Sequence, residues 1–325
     1  MRQQYAEGEL QGILDKYPGK GSIKRSFLFT SGFENSNFYI KTDTGEYVLK
    51  VFEGIGVGDA NIKFEVDVMD ACVQAGVKTP KVYRNNQGNL VSSFGSKSAI
   101  VMDFIDGENK DGKEISDEIA GQLGEETGKM DAALSMFSNS SFTRQNYEFD
   151  LKNFLTLKPK IAELPSEYDR TLITSIFDRF EEIKPMFDTL PKGIIHNDVA
   201  LHNILVKGDT LEAIIDFSDI AFSPYIQEIA VMGCDFFHDH NWKPHQLSIF
   251  IEGYKKSRRV SDLELSLLYD LLLARYCVDV VEFNHWNFQY GMDNQRVRQM
   301  EKNYKSLQRV RAFGKEKFDT LAAQE

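Results

Sequence analysis

Three oxygen-bearing side chains stand out in the C-terminal half of this 325-residue chain. Asp198 and Asn203 lie in His196-Asn197-Asp198-Val199-Ala200-Leu201-His202-Asn203, and Asp216 follows in Ala213-Ile214-Ile215-Asp216-Phe217. Phosphoryl transfer from ATP needs such a set. The reaction asks little covalent work of a protein, so rate comes from positioning the acceptor hydroxyl and neutralising charge on the phosphates. Mg²⁺ takes oxygen ligands and keeps some of its water, so one amide oxygen and one carboxylate suffice, and Asn203 and Asp216 are the candidates. Asp198, free of the metal, is the candidate to accept the hydroxyl proton. The bland alternative is a hairpin in which Asp and Asn only form turns, since Ile194-Ile195 and Ile204-Leu205-Val206 are short apolar runs and Lys207-Gly208-Asp209 is a turn. The strand ending in Asp216-Phe217 and the content of the N-terminal half favour the chemical reading.

The elements that must position this set are legible upstream. Gly45-Glu46-Tyr47-Val48-Leu49-Lys50-Val51-Phe52 reads as a strand with Lys50 near its end, placed to reach the α- and β-phosphates. Ile62, Val66, Met69 and Val73 keep helical spacing and define one buried stripe. Glu65 and Asp67 lie on that helix, and the longer Glu65 is the expected partner of Lys50. Before the Lys50 strand, Ser31 to Ile40 sits where a phosphate-covering loop belongs. It lacks G-x-G-x-x-G and a Walker lysine, but Gly32, Asn35, Ser36 and Asn37 offer backbone N–H groups to phosphate oxygens. Ser98 to Gly107 reads as an apolar strand running into a turn. As a hinge it would pair the carbonyl of Asp103 and the amide of Ile105 with adenine, with Met102 beside them.

The spacing H-x-D-x-x-x-x-N resembles the protein-kinase catalytic loop, with Asn197 where those enzymes have Arg. That Arg reads a phosphorylated activation loop, so its absence points to a kinase of metabolites. The order loop, Lys50, Glu65, hinge, Asp198, Asn203, Asp216 resembles the aminoglycoside phosphotransferase and choline kinase superfamily, from about residue 10 to about residue 290. The resemblance implies an α+β, two-lobed protein-kinase-like fold. Residues 1–105 would form a small antiparallel-sheet lobe with one helix, ending in the hinge, and 106–325 a larger, mainly helical lobe. It also implies ATP and Mg²⁺ as cofactors. Gly32 to Phe38 with Gly45 to Leu49 is similar to the homoserine kinases of this fold, and Ile214 to Asp219 with Glu228-Ile229-Ala230 to the hydroxylysine-kinase-like branch. Met130-Asp131 departs from the Leu-His that many relatives carry on the helix after the hinge.

The acceptor is expected to be a small hydroxyl compound bearing an amine, with homoserine or a related hydroxy amino acid as best choice. Such an acceptor wants an acid or aromatic face for its ammonium and a fork donor such as Arg275 for its carboxylate. Asp219, Glu228, Asp235, Arg275, Asp279, Glu282, His285 and Trp286 are the candidates, and each has a plain structural reading beside it. An aminoglycoside, choline or amino-alcohol acceptor, or a kinase-shaped binding protein without turnover, are the alternatives. With 38 basic and 49 acidic residues, the net charge of −11 disfavours nucleic acid and anionic membranes. No apolar run approaches a membrane span, the N-terminus lacks a secretion signal, and Cys72, Cys234 and Cys277 read as reduced core residues. These features predict a cytoplasmic monomer or homodimer. His238-Asp239-His240 could hold a transition metal but has no further ligands at supportive spacing, and Lys255 to Arg259 reads as a solvated turn.

Overall fold

The computed structural model describes residues 3–30, 35–54, 59–137, 143, 146–238, 242–291 and 294–323, with backbone only at 294–296 and 299. Its N-terminal lobe is one antiparallel sheet in the order β1 (Ile23–Leu28), β2 (Ser36–Thr42), β3 (Glu46–Phe52), β5 (Lys97–Asp103) and β4 (Ser92–Phe94). Strand alternation assigns the two faces. Leu49, Val51, Ala99 and Val101 pack with Leu10, Ile13 and Leu14 of helix α1 (Glu7–Leu14). Phe52 and Ile100 share the opposite core with Ile62, Val66 and Met69 of helix α2 (Asp59–Gln74). Lys50 belongs to that second face, so its side chain leaves the sheet toward α2.

After β5 comes the short strand β6 (Glu108–Asn109), which pairs within the larger lobe. Helix α3 (Asp117–Leu134) is N-capped by Ser116, whose hydroxyl accepts from the Ile119 amide. It crosses α6 (Gln246–Lys255) closely: a Cβ on Gly124, Gly128 or Gly253 would overlap a backbone carbonyl of the other helix. Between α3 and the catalytic strands lie a 3-10 helix (Leu151–Glu163) and α4 (Arg170–Phe187), where the sequence predicts a less regular, helix-bearing region.

The Asp198–Asn203 stretch rests on two small sheets. β7 (Lys192–Ile195) pairs with β10 (Ala221–Pro224), while β8 (Ile204–Lys207) lies between β6 and β9 (Thr210–Ile214). β7 and β8, the arms of the hairpin considered from sequence, thus have different partners, and residues 196–203 bridge two sheets. Helices α5 (Ile226–Phe236), α7 (Asp262–Tyr290), α8 (Asn294–Phe313) and α9 (Lys315–Ala322) complete the lobe. The sequence from about 293 to 321 reads as one charged helix with an apolar seam but forms two, because Gly314 takes φ +86°, which ends α8 and re-aims α9. Phe318 of α9 is thereby buried against Phe237 and Tyr269.

Candidate active site

Lys50 of β3 and Glu65 of α2 form a buried ion pair, with Nζ 2.8 Å from Oε1 and each residue 5% exposed. Asp67, the other acid on α2, faces outward and pairs with Lys63. The Lys50 ammonium also lies 3.8 Å from Asp216 Oδ1. Residues 166 positions apart in the chain therefore meet across the junction of the lobes.

His196 ties the Asp198 and Asp216 loops together. Its Nδ1 accepts from the Asp198 amide at 3.3 Å, and its Nε2–H donates to the Ile215 carbonyl at 3.2 Å. Each partner has one possible role, a donor on one side and an acceptor on the other, which sets the tautomer. Burial lowers the imidazole pKa, so the ring is neutral as this bridge requires. The Ile215 amide donates to the Asn203 carbonyl at 2.9 Å, locking the two loops a second time.

Asp198 is partly buried. Its Oδ2 accepts from Asn203 Nδ2 at 2.7 Å and from His202 Nε2 at 3.0 Å. Burial alone would raise its carboxyl, but the His202 imidazolium, helped by Arg275, holds it below the ordinary aspartate range. Burial likewise works against the charged imidazole, yet the Asp198 carboxylate raises His202 well above its ordinary value. With 49% of the His202 side chain in solvent, screening moderates that pair. Burial also works against Asp216, and the nearby Lys50 ammonium outweighs it, so this carboxyl too sits below its ordinary range.

Asn203 Nδ2 is committed to the Asp198 carboxylate and to the Asp198 carbonyl at 3.0 Å, which leaves its amide oxygen as the ligand end. Together with the half-exposed Asp216 carboxylate it makes an all-oxygen donor pair of the kind Mg²⁺ takes. Both loops hold non-glycine residues in the left-handed region, Asn197 at φ +67° and Asp216 at φ +66°. Asn and Asp are among the side chains that tolerate it, and such conformations cluster at active sites.

Other expected nucleotide residues divide by strand phase. Asn37 pairs directly with Lys50 across β2 and β3, so both side chains leave the same face of the sheet. Ser36 was expected in a loop but lies in β2 opposite Val51, on the α1 face, and its hydroxyl is committed to Glu53. Asn35 precedes the strand, its Oδ1 accepting from the Glu53 amide at 3.4 Å, and Gly32 lies outside the described residues. In the stretch expected to form the hinge, Asp103 ends β5 with its carboxylate accepting from the Tyr83 hydroxyl, while Met102 and Ile105 are half-buried.

Several acceptor candidates prove to be anchors. Glu228 Oε1 accepts from the His196 and Asn197 amides, and burial pushes its carboxyl up to about 8. Asp235 Oδ2 accepts from the Leu201 amide at 2.7 Å. Glu282 pairs with Lys160 at 2.6 Å, His285 with Glu163, and Trp286 packs on Phe149 and Phe283. Sequence alone does not say whether an acid faces a ligand or a backbone amide. Asp219 closes the 3-10 turn Phe217–Asp219 directly after Asp216. Arg275 and Asp279 pair on α7, Asp279 also accepts from Asn303 at 3.1 Å, and both charges reach Asp198 electrostatically.

Three features escaped the sequence reading. His202, four residues after Asp198, was visible in the motif. Gln227, which donates to Asn197 Oδ1 and so steadies its left-handed backbone, gave no signal. Arg258, assigned to a solvated turn, is largely buried against Glu264 and Tyr225. His238 is also buried, bonded to Asn303, and His240 lies outside the described residues. No group of three potential metal-ligating residues occurs among the described residues.

The sequence matches the Phosphotransferase enzyme family (APH) over residues 28–263. The chain belongs to this family. Among relatives of this phosphotransferase, a homoserine kinase of Zymomonas mobilis is 25% identical over 272 residues, 82% of each chain. One of Bradyrhizobium sp. (strain ORS 278) is 28% identical over 276 residues, 83% of this chain and 81% of that one. Similar solved structures include a microcompartment-associated aminopropanol kinase, with TM-score 0.72, 16% identity and coverage of 98% and 99%. An amicoumacin kinase in complex with AMP-PNP, Ca²⁺ and Ami has TM-score 0.70, 16% identity and 94% coverage of both chains. The phosphotransferase is a small-molecule kinase with the two-lobed, protein-kinase-like α+β fold, as the motif resemblance implied. Among the described residues no helix is long and apolar enough to cross a membrane, and all three cysteines are free thiols.

Proposed function

We propose that this phosphotransferase moves the γ-phosphoryl group of ATP onto the hydroxyl of a small amine-bearing metabolite, with homoserine or a related hydroxy amino acid as acceptor. The observation that carries the reading is the meeting of Lys50 with Asp216 at 3.8 Å, beside the Asp198–Asn203 pair. Lys50, fixed by Glu65, clamps the α- and β-phosphates. The Asn203 amide oxygen and Asp216 hold Mg²⁺, which neutralises phosphate charge when bound. Asp198 has Oδ2 fixed by Asn203 and His202, so its other oxygen receives the hydroxyl proton. The Asp103 carbonyl and Ile105 amide take adenine at the hinge that we set as the division between 1–105 and 106–325, with Met102 and Asn37 flanking the nucleotide.

The homoserine kinase relatives support a hydroxy amino acid, and Arg275 near Asp198 supplies a cation for its carboxylate. An aminopropanol kinase among the similar structures favours an amino-alcohol acceptor as the second reading. ATP consumption measured over hydroxylated amino acids, amino alcohols and aminoglycosides separates them. Homoserine is expected to give the highest kcat/KM, and turnover confined to amino alcohols would overturn the acceptor assignment. Asp198→Asn is expected to lower kcat by about 10²- to 10⁴-fold with nucleotide affinity nearly unchanged. Wild-type turnover in that variant would remove Asp198 from its role.

A further inference from the structure

One strong donor near the Asp198 loop is buried and unspent. Arg275 of α7 is only 9% exposed, with its guanidinium carbon 5.3 Å from the centre of the Phe149 ring. Nη1 pairs with Asp279 one turn along the helix, yet Nε–H has no hydrogen-bond partner among the described residues. An unpaired buried donor is costly, and in a native fold it calls for an explanation. Contacts bring this turn of α7 toward the loop. The Cys234 sulfur lies 3.9 Å from the Leu272 carbonyl, the Tyr276 hydroxyl donates to the Cys234 carbonyl, and the next residue, Asp235, accepts from the Leu201 amide.

Asp279 is gripped from a second helix. Its Oδ1 takes Arg275, while its Oδ2 accepts from Asn303 Nδ2 of α8 at 3.1 Å. Only the NH₂ end of an amide can face a carboxylate, so the Asn303 oxygen faces His238, whose Nε2–H donates to it at 3.2 Å. Asn303 and His238 are both buried. With each of its oxygens held, Asp279 stays on Nη1 and does not rotate to take Nε itself. We propose that the Nε–Nη2 edge of Arg275 seats the acceptor's carboxylate, and that Asn303 is the positioning residue that keeps this edge open by fixing Asp279. Two N–H groups in a planar fork match two carboxylate oxygens, a match that an amino alcohol cannot supply. The acceptor class is then a hydroxy amino acid.

This assignment rests on Arg275 serving an acceptor whose hydroxyl meets Asp198, and two readouts keep the failures apart. The first compares homoserine with 3-amino-1-propanol, which is homoserine without its carboxylate, on one preparation of the full chain with Mg-ATP. Wild type is expected to favour homoserine by at least about 100-fold in kcat/KM, because a site built for a polar group rejects the analogue that lacks it. Arg275→Gln should cut that ratio by about tenfold or more, the worth of a charged hydrogen bond. Asn303→Ala, and Asn303→Asp, which keeps the size but turns an acceptor toward Asp279, should each cut it by about tenfold with KM for ATP unchanged. The ratio does not depend on how much of a variant is folded. A wild-type ratio in both Asn303 variants would overturn the positioning role, even if their Tm falls. A wild type that does not discriminate, or an Arg275→Gln variant that discriminates as well as wild type, would overturn the carboxylate seat. The second readout needs no turnover. The Nε–H NMR resonance that Arg275→Gln abolishes should shift when homoserine is added with Mg-AMP-PNP, and should stay in place with 3-amino-1-propanol. No shift with homoserine would overturn the seat. A shift without phosphorylation of homoserine would leave the seat standing and overturn only homoserine as the phosphoryl acceptor.

Discussion

Glu65 is remote from the acceptor side of the proposed reaction, yet it decides where the Lys50 ammonium sits. Both side chains are enclosed, and removing Glu65 leaves Asp216, 3.8 Å away, as the carboxylate that draws the lysine. Breaking a buried pair by deleting one partner typically costs about 3–5 kcal/mol. Glu65→Ala is expected to lose stability at the lower end of that range in urea titrations and to raise KM for ATP. Glu65→Gln should recover much of the stability through its remaining hydrogen bond but little of the KM. An unchanged KM for ATP in the Ala variant would remove Lys50 from the nucleotide site. At this scale the sequence was informative where chemistry dictates residue type, as for Asp198, Asn203, Asp216, Lys50 and Glu65. It misled for Ser36, because the stretch read as a loop from Ser31 to Ile40 is already paired strand from Ser36 onward. It misled for Glu228 and Asp235 because carboxylates serve backbone amides and ligands equally well.

Helices α3 and α6 show what an element-level reading misses. In the sequence Ile119, Leu123, Met130 and Leu134 keep helical spacing, and in the fold this stripe is buried. The role of the glycines between those positions was not legible, since from sequence a glycine in a helix registers only as a weakness. In the fold, Gly124, Gly128 and Gly253 let two backbones touch. Gly→Ala in a helix interior otherwise stabilises by about 1 kcal/mol, whereas forcing a side chain into a packed contact costs about 1–3 kcal/mol. The contact at Gly124 is with backbone, which cannot rotate away, so the steric term wins. Gly124→Ala should lower Tm, while Ala at the uncrowded Gly8 of α1 should not. Equal Tm values for both variants would show that α3 and α6 separate without cost. Helix boundaries failed where a single backbone angle decides them, as at Gly314.

At the scale of the whole molecule, the nucleotide is proposed to touch groups from both lobes, so it should act as a clamp between them. A ligand bound only to the native state adds about 2.7 kcal/mol at one hundred times its Kd. Thermal unfolding is therefore expected to shift upward with Mg-ATP and to shift much less for Lys50→Met. A full shift in that variant would mean that the nucleotide binds without the N-terminal lobe's lysine. Two lobes were legible because a strand-rich first part and a helix-rich remainder have different periodicities. Which strands pair around the catalytic loop was not, because β7 and β10 are joined only through the folded chain between them.

Helix α7 runs 29 residues, about 43 Å at 1.5 Å per residue. Arg179 and Lys160 fasten it through Asp270 and Glu282, while the Arg275–Asp279 pair between them acts electrostatically on Asp198. A mutational drift confined to the turn at 275–279 would leave both fastenings and the triphosphate grip intact. On the proposed function, such a lineage is free to exchange one alcohol for another without reinventing its chemistry.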